Sequence, residues 1–401
     1  MLVLAVASCR EMKESDPYEG FLNVLTINAV FPEGFEDVGR KGFEAVVEDI
    51  NNGSRYTAVT DEAGSVSFRI SNGLYRVNVS GKSESDVFNG ASDKVVVSGS
   101  DVALPLLMTH SKAGSIIIKE IYCGGCKKLP QEGDYQLDQY FILHNNDYQI
   151  HYLDSLCFGA LCPDNAHGTN QFVTKDPQTG ESIFPDFLPV GQAVWQFPGD
   201  GDDFPLQPGE DAVVCLRAAI DHTLQYPLSV NLNRPEYFAC YNITLFPDPR
   251  FQPAPGDLIS PDRYLNPIIK MSKAKGYYIS INSPALVVWK SKGISMQEFV
   301  NDPDNLTPVP GNSAYGDVVK VPYEWVVDAV EVFNGASTGN AKRLAPSADA
   351  GYVFQTDTFL GHSLMRHKDL ENSEKSGYEV LVDTNNSMND FYETEKQSLH
   401  E

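Results

Sequence analysis

Short apolar runs with a period of two recur along this chain, and few segments repeat with the 3.6-residue period of a helix. Leu22-Asn23-Val24-Leu25-Thr26-Ile27, Ala45-Val46-Val47-Glu48-Asp49-Ile50, Val66-Ser67-Phe68-Arg69-Ile70 and Leu74-Tyr75-Arg76-Val77-Asn78-Val79 alternate in this way. A period of two puts successive side chains on opposite faces, so each run reads as a strand with one buried face. Turn residues separate the runs: Asn51-Asn52-Gly53, Asp61-Glu62-Ala63-Gly64 and Asn72-Gly73. Asn72-Gly73 predicts a hairpin, because both residues tolerate positive φ. The 31 Gly and 25 Pro agree with a turn-rich, all-β chain rather than a helical bundle.

The pattern Thr60-Asp61-Glu62-Ala63-Gly64-Ser65-Val66-Ser67-Phe68, followed by Asn72-Gly73-Leu74-Tyr75-Arg76-Val77, resembles the prealbumin-like, carboxypeptidase-regulatory-type β-sandwich. That resemblance implies an accessory module at residues 20–110 with no catalytic centre of its own. Residues 111–401 read as one larger domain. Its expected strands include Gly114–Tyr122, Asp138–Asn146, Asp211–Leu216, Ala285–Lys290 and Glu324–Val332, and Ser295–Val300 predicts a short connecting helix. Lys119-Glu120-Ile121-Tyr122, Gln139–Asn146, Leu206–Glu210, Ala219–His222, Ser229–Leu232, Trp325–Glu331 and Asp383–Phe391 follow in an order similar to the lamin-tail-like, immunoglobulin-type sandwich. The expected fold class is therefore all-β, with two β-sandwich domains and long loops on the second.

Residues 1–19 read as an address and tether. Val6-Ala7-Ser8-Cys9 resembles a bacterial lipobox, which makes Cys9 the lipidated residue, and Arg10–Pro17 is a polar tether. No later run approaches the roughly 18 apolar residues of a membrane helix. Membrane attachment is therefore expected through the lipid alone, at the outer membrane or cell surface. The combination of lipobox and two sandwiches resembles an uncharacterised family of Bacteroidetes lipoproteins. The resemblance implies an exported binding or structural module, accessory to nutrient uptake, with an outer-membrane transporter or a surface glycan as partner. With 30 Lys+Arg against 54 Asp+Glu the net charge is −24, which argues against nucleic acid as a partner.

Six cysteines remain after Cys9: Cys123, Cys126, Cys157, Cys162, Cys215 and Cys240. An even number in an exported chain predicts disulfides, with Cys215–Cys240 closing the longest local loop. Two other readings stay open. Cys123, Cys126, Cys157 and Cys162 supply the ligand count of a structural zinc site. Cys123-x-x-Cys126 has the spacing of a redox pair, although it follows a strand rather than opening a helix.

Catalysis is not expected, and neither is a cofactor. Asp221-His222 has no recognisable nucleophile elbow. Asp383, Asn385, Ser387 and Asn389 alternate like calcium ligands, but Met388 stands where that loop needs Gly, so a hydrogen-bonded turn is the better reading. The acidic turn Asp200–Asp203 is read as exposed. His144, His151 and His167 lack the HExxH spacing. A metal-dependent enzyme, or a metal- or haem-binding protein built on these loops, is the alternative function. Ligand binding is expected on the loop-rich segments 123–138, 163–205 and 247–278, with Trp195 and Phe197 as candidate contacts within the aromatic set Phe184, Phe187, Trp195 and Phe197. Core packing is the competing role for those aromatics.

Overall fold

The computed structural model describes residues 22–83, 86–164, 171–311, 316–335 and 339–400. Cys9, the tether and His167 lie outside the described residues. The chain is almost all β, about 40% strand and 8% helix.

The small unit is built from two sheets. One orders Ser65–Ile70, Asn23–Val30 and Val102–Leu107; the other orders Arg55–Val59, Glu44–Asp49, Gly73–Ser83, Asp86–Val97 and Thr109–Lys112. The alternation works as expected: Val66, Phe68 and Ile70 point inward, meeting Leu25, Ile27, Val77 and Val79 in one apolar core. At the predicted Asp61–Gly64 turn the Asp61 carboxylate accepts the backbone N–H groups of Ala63 and Ser65, both at 2.9 Å, and Gly64 takes φ +78°. The Asn72-Gly73 hairpin does not form. Ser65–Ile70 and Gly73–Ser83 belong to different sheets, so Asn72-Gly73 is a corner between them. Asn72 ties it down by accepting from Gly99 N at 2.7 Å and Asn23 Nδ2 at 2.8 Å.

The larger unit stacks two six-stranded sheets. One runs Phe238–Ala239, Asp211–Cys215, Tyr140–Asn145, Ile116–Tyr122, Leu364–Arg366 and Phe391–Glu393. The other runs Asn266–Lys270, Ala193–Gln196, Cys157–Ala160, Ala285–Trp289, Val326–Asn334 and Val353–Gln355. Between them lies a core that includes Phe141, Phe158, Trp195, Val214, Leu286 and Val330. The outer face of the second sheet is covered too. There Val194, Val287 and Trp289 pack against Val319, Val321 and the helix Met296–Asn301. That helix is the predicted one, opened by a capping box between Ser295 and Glu298.

The last strand of the small unit, Thr109–Lys112, leads into the larger one through a joint built of side-chain hydrogen bonds. Asp383 Oδ2 accepts Gly114 N at 2.8 Å, Asn385 Nδ2 donates to Ser111 Oγ at 2.9 Å, and Asn386 Nδ2 donates to Asn78 Oδ1 at 2.7 Å. Tyr352 OH reaches Glu48 Oε2 at 2.7 Å. The segment that alternates like a calcium loop is thus spent on clamping the two units.

Candidate functional site

Trp195 and Phe197 are not surface contacts. Both sit on the inward face of the strand region 193–197 and are fully buried. Trp195 stacks on Phe246 with ring centroids 5.8 Å apart, and Phe197 meets Phe238 edge-on at 4.9 Å. The burial of both rings removes the candidate binding role, and core packing takes its place.

The expected disulfides are absent as well. Cys123, Cys126, Cys157, Cys162, Cys215 and Cys240 are all free and buried. Cys215 packs on the outer face of its sheet with Ala239, whereas Cys240 turns into the sandwich core, so a bond between them would have to cross the sheet. Cys157 and Cys162 lie in separate apolar clusters. The zinc quartet is not gathered, and the redox pair has the wrong chemistry. Burial pushes the thiols of Cys123, Cys126, Cys157 and Cys162 up to about 12, opposite to the lowered value of a reactive thiolate.

Other sequence candidates hold structure together. Asp221 caps a short 3₁₀ turn, accepting from Thr223 N at 3.0 Å. His222 is buried; its Nδ1 is 2.6 Å from Tyr135 OH and its Nε2 is 3.0 Å from Ala218 O. Burial lowers its pKa, against the pull of Asp138. The acidic turn wraps Asp154, whose carboxylate accepts the N–H groups of Gly201, Asp203 and Phe204, each at 3.0 Å. Burial works to raise the Asp154 pKa, and these backbone bonds outweigh it. His144 is 2.7 Å from Asp211 and, with Glu379, forms a trio close enough to share a cation. The Lys119 ammonium already pairs with both carboxylates of the trio, 2.7 Å from Asp211 and 2.5 Å from Glu379. His151 pairs with Asp147 at the surface.

The three loop-rich segments do converge. Gln136 from the first, Asp164 from the second, and Phe251, Lys273, Lys275 and Tyr278 from the third line one cavity of about 530 Å³. That volume lies within the roughly 300–1,000 Å³ of small-molecule sites. Gly276 lets the third segment close, since a Cβ there would come within 2.5 Å of Phe251 O.

Behind these loops sits Arg217, two residues past the strand Asp211–Cys215, and only 8% exposed. Its guanidinium donates to Gln136 O at a long 3.4 Å and lies 5.4 Å from the Tyr278 ring centroid, while its Nε has no hydrogen-bond partner. Among the described residues no carboxylate forms an ion pair with it. Burial lowers its pKa, against the pulls of Tyr278, Tyr135 and Asp138. A desolvated cation without a counter-ion is costly, so the arrangement favours an anion in the cavity.

The cleft between the two units, about 560 Å³ and lined by Arg76, Lys175, Lys342 and Tyr352, is a weaker candidate. Its polar groups are already engaged: Lys175 with Asp93, Lys342 with Glu331 and Tyr352 with Glu48. Sequence reasoning located the loops of the Arg217 cavity but not Arg217. The available signal was Lys273-Ala274-Lys275, a basic pair in a strongly acidic chain.

Fold and cavity together define an all-β protein of stacked sheets, with a loop-built pocket on the larger unit. Within that class, residues 207–398, just under half of the chain, match the model of the family described as "Protein of unknown function (DUF4876)". The matched stretch contains Arg217, Phe251, Lys273, Lys275 and Tyr278. The crystal structure of a DUF4876 family protein from Bacteroides thetaiotaomicron is similar over 92% of this chain and 94% of that one, with 26% identity and a TM-score of 0.57. The expectation of an uncharacterised Bacteroidetes family agrees with both findings. A putative adhesin from Bacteroides ovatus aligns over 73% of this chain and 85% of that one, at 10% identity and a TM-score of 0.21, too low to carry an argument. No curated protein matches the chain.

Proposed function

We propose that this chain is an exported binding module of the cell surface, anchored through a lipid on Cys9, that captures its ligand in the Arg217 cavity without turning it over. In this reading the small unit is a prealbumin-like spacer and the larger a lamin-tail-like sandwich. A surface glycan or an outer-membrane transporter is the partner. The observation that carries it is the buried Arg217 guanidinium, without an ion-pair partner among the described residues, at the back of a cavity built by three loops. Loops on a rigid sandwich are where binding usually resides. The imidazole of His222 supports binding without chemistry, since both its nitrogens are engaged by Tyr135 and Ala218. The alternative, a metal-dependent enzyme, has the His144 trio in its favour, but both carboxylates of that trio already pair with Lys119.

The test compares wild type with a Lys273→Glu/Lys275→Glu variant on immobilised surface glycans, with reducing-end release measured in parallel. Binding that is lost in the folded variant, with no release, is the expected result. Equal binding by the variant moves the site elsewhere, and sustained release overturns the non-catalytic reading.

A further inference from the structure

We infer that the Arg217 cavity is a receptor for a carboxylate-bearing saccharide, an inference that rests on the binding role proposed above and names its ligand class. Charge comes first. The chain as a whole is strongly acidic at −24, yet this cavity gathers Arg217, Lys273 and Lys275 against the single carboxylate of Asp164. Lys275 is held only loosely, 3.9 Å from Asp248, and Lys273 makes no ion pair among the described residues. A cationic pocket on an anionic surface attracts anions locally while the surrounding field repels them, which favours a ligand that seats its charge deep in the pocket.

Depth selects the group. Arg217 lies behind the two lysines, is 8% exposed, and leaves its Nε without a partner. A guanidinium presents a planar fork of donors that matches the two oxygens of a carboxylate. An anion there would give the guanidinium the direct ion-pair partner it lacks among the described residues. The rim selects the rest of the ligand. Tyr278 is 42% and Phe251 36% exposed, and the two expose aromatic faces beside the basic groups. Lys275 Nζ and Arg250 Cζ each stand 5.8 Å from the Phe251 centroid, so ring and basic groups lie together at the rim. A flat apolar face beside polar donors suits a sugar ring, whose C–H face and hydroxyl edge demand both.

The experiment is calorimetric titration of the purified protein with three acidic probes, trigalacturonate, a glucuronate trisaccharide and sialyllactose. The carboxyl-reduced trigalacturonate and inorganic phosphate serve as controls. At least one acidic probe is expected to bind, and its carboxyl-reduced form about tenfold or more weaker. Arg217→Met should abolish this preference while leaving the melting temperature equal to or above that of wild type, because it removes an unpaired buried charge. If that variant does not fold, Lys273→Glu/Lys275→Glu reads the same preference from the cavity mouth. Equal binding of acidic and reduced probes overturns the carboxylate assignment but leaves the cavity as a glycan site. Phosphate competing as well as the sugars overturns the saccharide assignment. Failure of every sugar, with phosphate silent, overturns both this inference and the binding role of the cavity.

Discussion

Arg366 and Asp328 face each other inside the larger sandwich, Nη2 to Oδ2 at 2.8 Å, with each side chain about 1% exposed. The same guanidinium reaches Asp383 at 3.2 Å and Asp390 at 3.1 Å, and its Nε donates to Ile118 O at 2.8 Å. One cation therefore ties the strands Ile116–Tyr122, Val326–Asn334 and Leu364–Arg366 to the clamp segment 383–390. Replacing Arg366 with Leu strands three buried carboxyls. The expected cost is about 3–5 kcal/mol, read as a lower midpoint in urea unfolding. A loss below about 1 kcal/mol would mean that the cluster does not hold the sheets together.

Three carboxyls around one guanidinium also bind a proton. Burial pushes Asp328 and Asp390 up to about 7, with Arg366 pulling down and Asp383 pushing further up. An unfolded Asp titrates near 3.9, so between that value and about 7 the folded state holds more protons than the unfolded one. This cluster's contribution is complete below pH 4 and is lost as pH rises through 7. Asp328→Asn mimics the protonated form at every pH. Its melting-temperature deficit against wild type should be largest near pH 4.5 and shrink by pH 8; a deficit that grows over that range would refute the assignment.

The cysteines give a direct chemical readout. All six described cysteines are buried thiols, and four are pushed up to about 12. Native protein carrying Cys9→Ser should therefore react negligibly with a thiol reagent at pH 8. After denaturation six thiols should titrate, and a reductant should leave the melting temperature unchanged. Fewer than six would reveal a disulfide of the kind an oxidising compartment supports.

Much of the fold was legible because alternation is a local property. Val66-Ser67-Phe68-Arg69-Ile70 states which side chains go inward, and the Asp61–Gly64 turn carries its own Asx chemistry. Alternation does not say which of two sheets a strand joins, so Asn72-Gly73 looked like a hairpin and is a corner. Trp195 and Phe197 were misplaced for a related reason. Their sheet is covered on both faces, so inward and outward residues are equally apolar and a buried strand resembles an aromatic surface patch. Arg217 had no local signature at all. Gln136 and Tyr278 reach it from 81 residues before and 61 after, and only the fold brings them together.

The joint between the units makes a further prediction. Residues 109–112 form a paired strand and Gly114 is held by Asp383. Limited proteolysis should spare 109–114 in wild type. Asn386→Ala removes the amide that donates to both Asn78 Oδ1 and Ser80 Oγ in a buried joint, at a cost of about 1–3 kcal/mol. Cleavage near this segment should then become detectable by mass spectrometry. Rapid cutting there in wild type would show that the clamp is open in solution.

The last prediction separates the two aromatic sites. Trp195 is fully buried, stacked on Phe246 and edge-on to Tyr277 at 5.6 Å, so its ring fills core volume that nothing else occupies. Trp195→Ala should cost about 3–5 kcal/mol through the cavity it leaves, and any loss of ligand binding should follow the loss of folded protein. Tyr278 is 42% exposed and lies over Arg217. Tyr278→Ala should stay within about 0.5 kcal/mol of wild-type stability, as surface substitutions usually do. Yet it should weaken sugar binding, because it removes the aromatic face at the cavity rim. Measuring unfolding midpoint and affinity for both variants places each residue on one axis or the other. If Trp195→Ala binds poorly while its midpoint is unchanged, the ligand sits against the sandwich core and the Arg217 cavity is not the site.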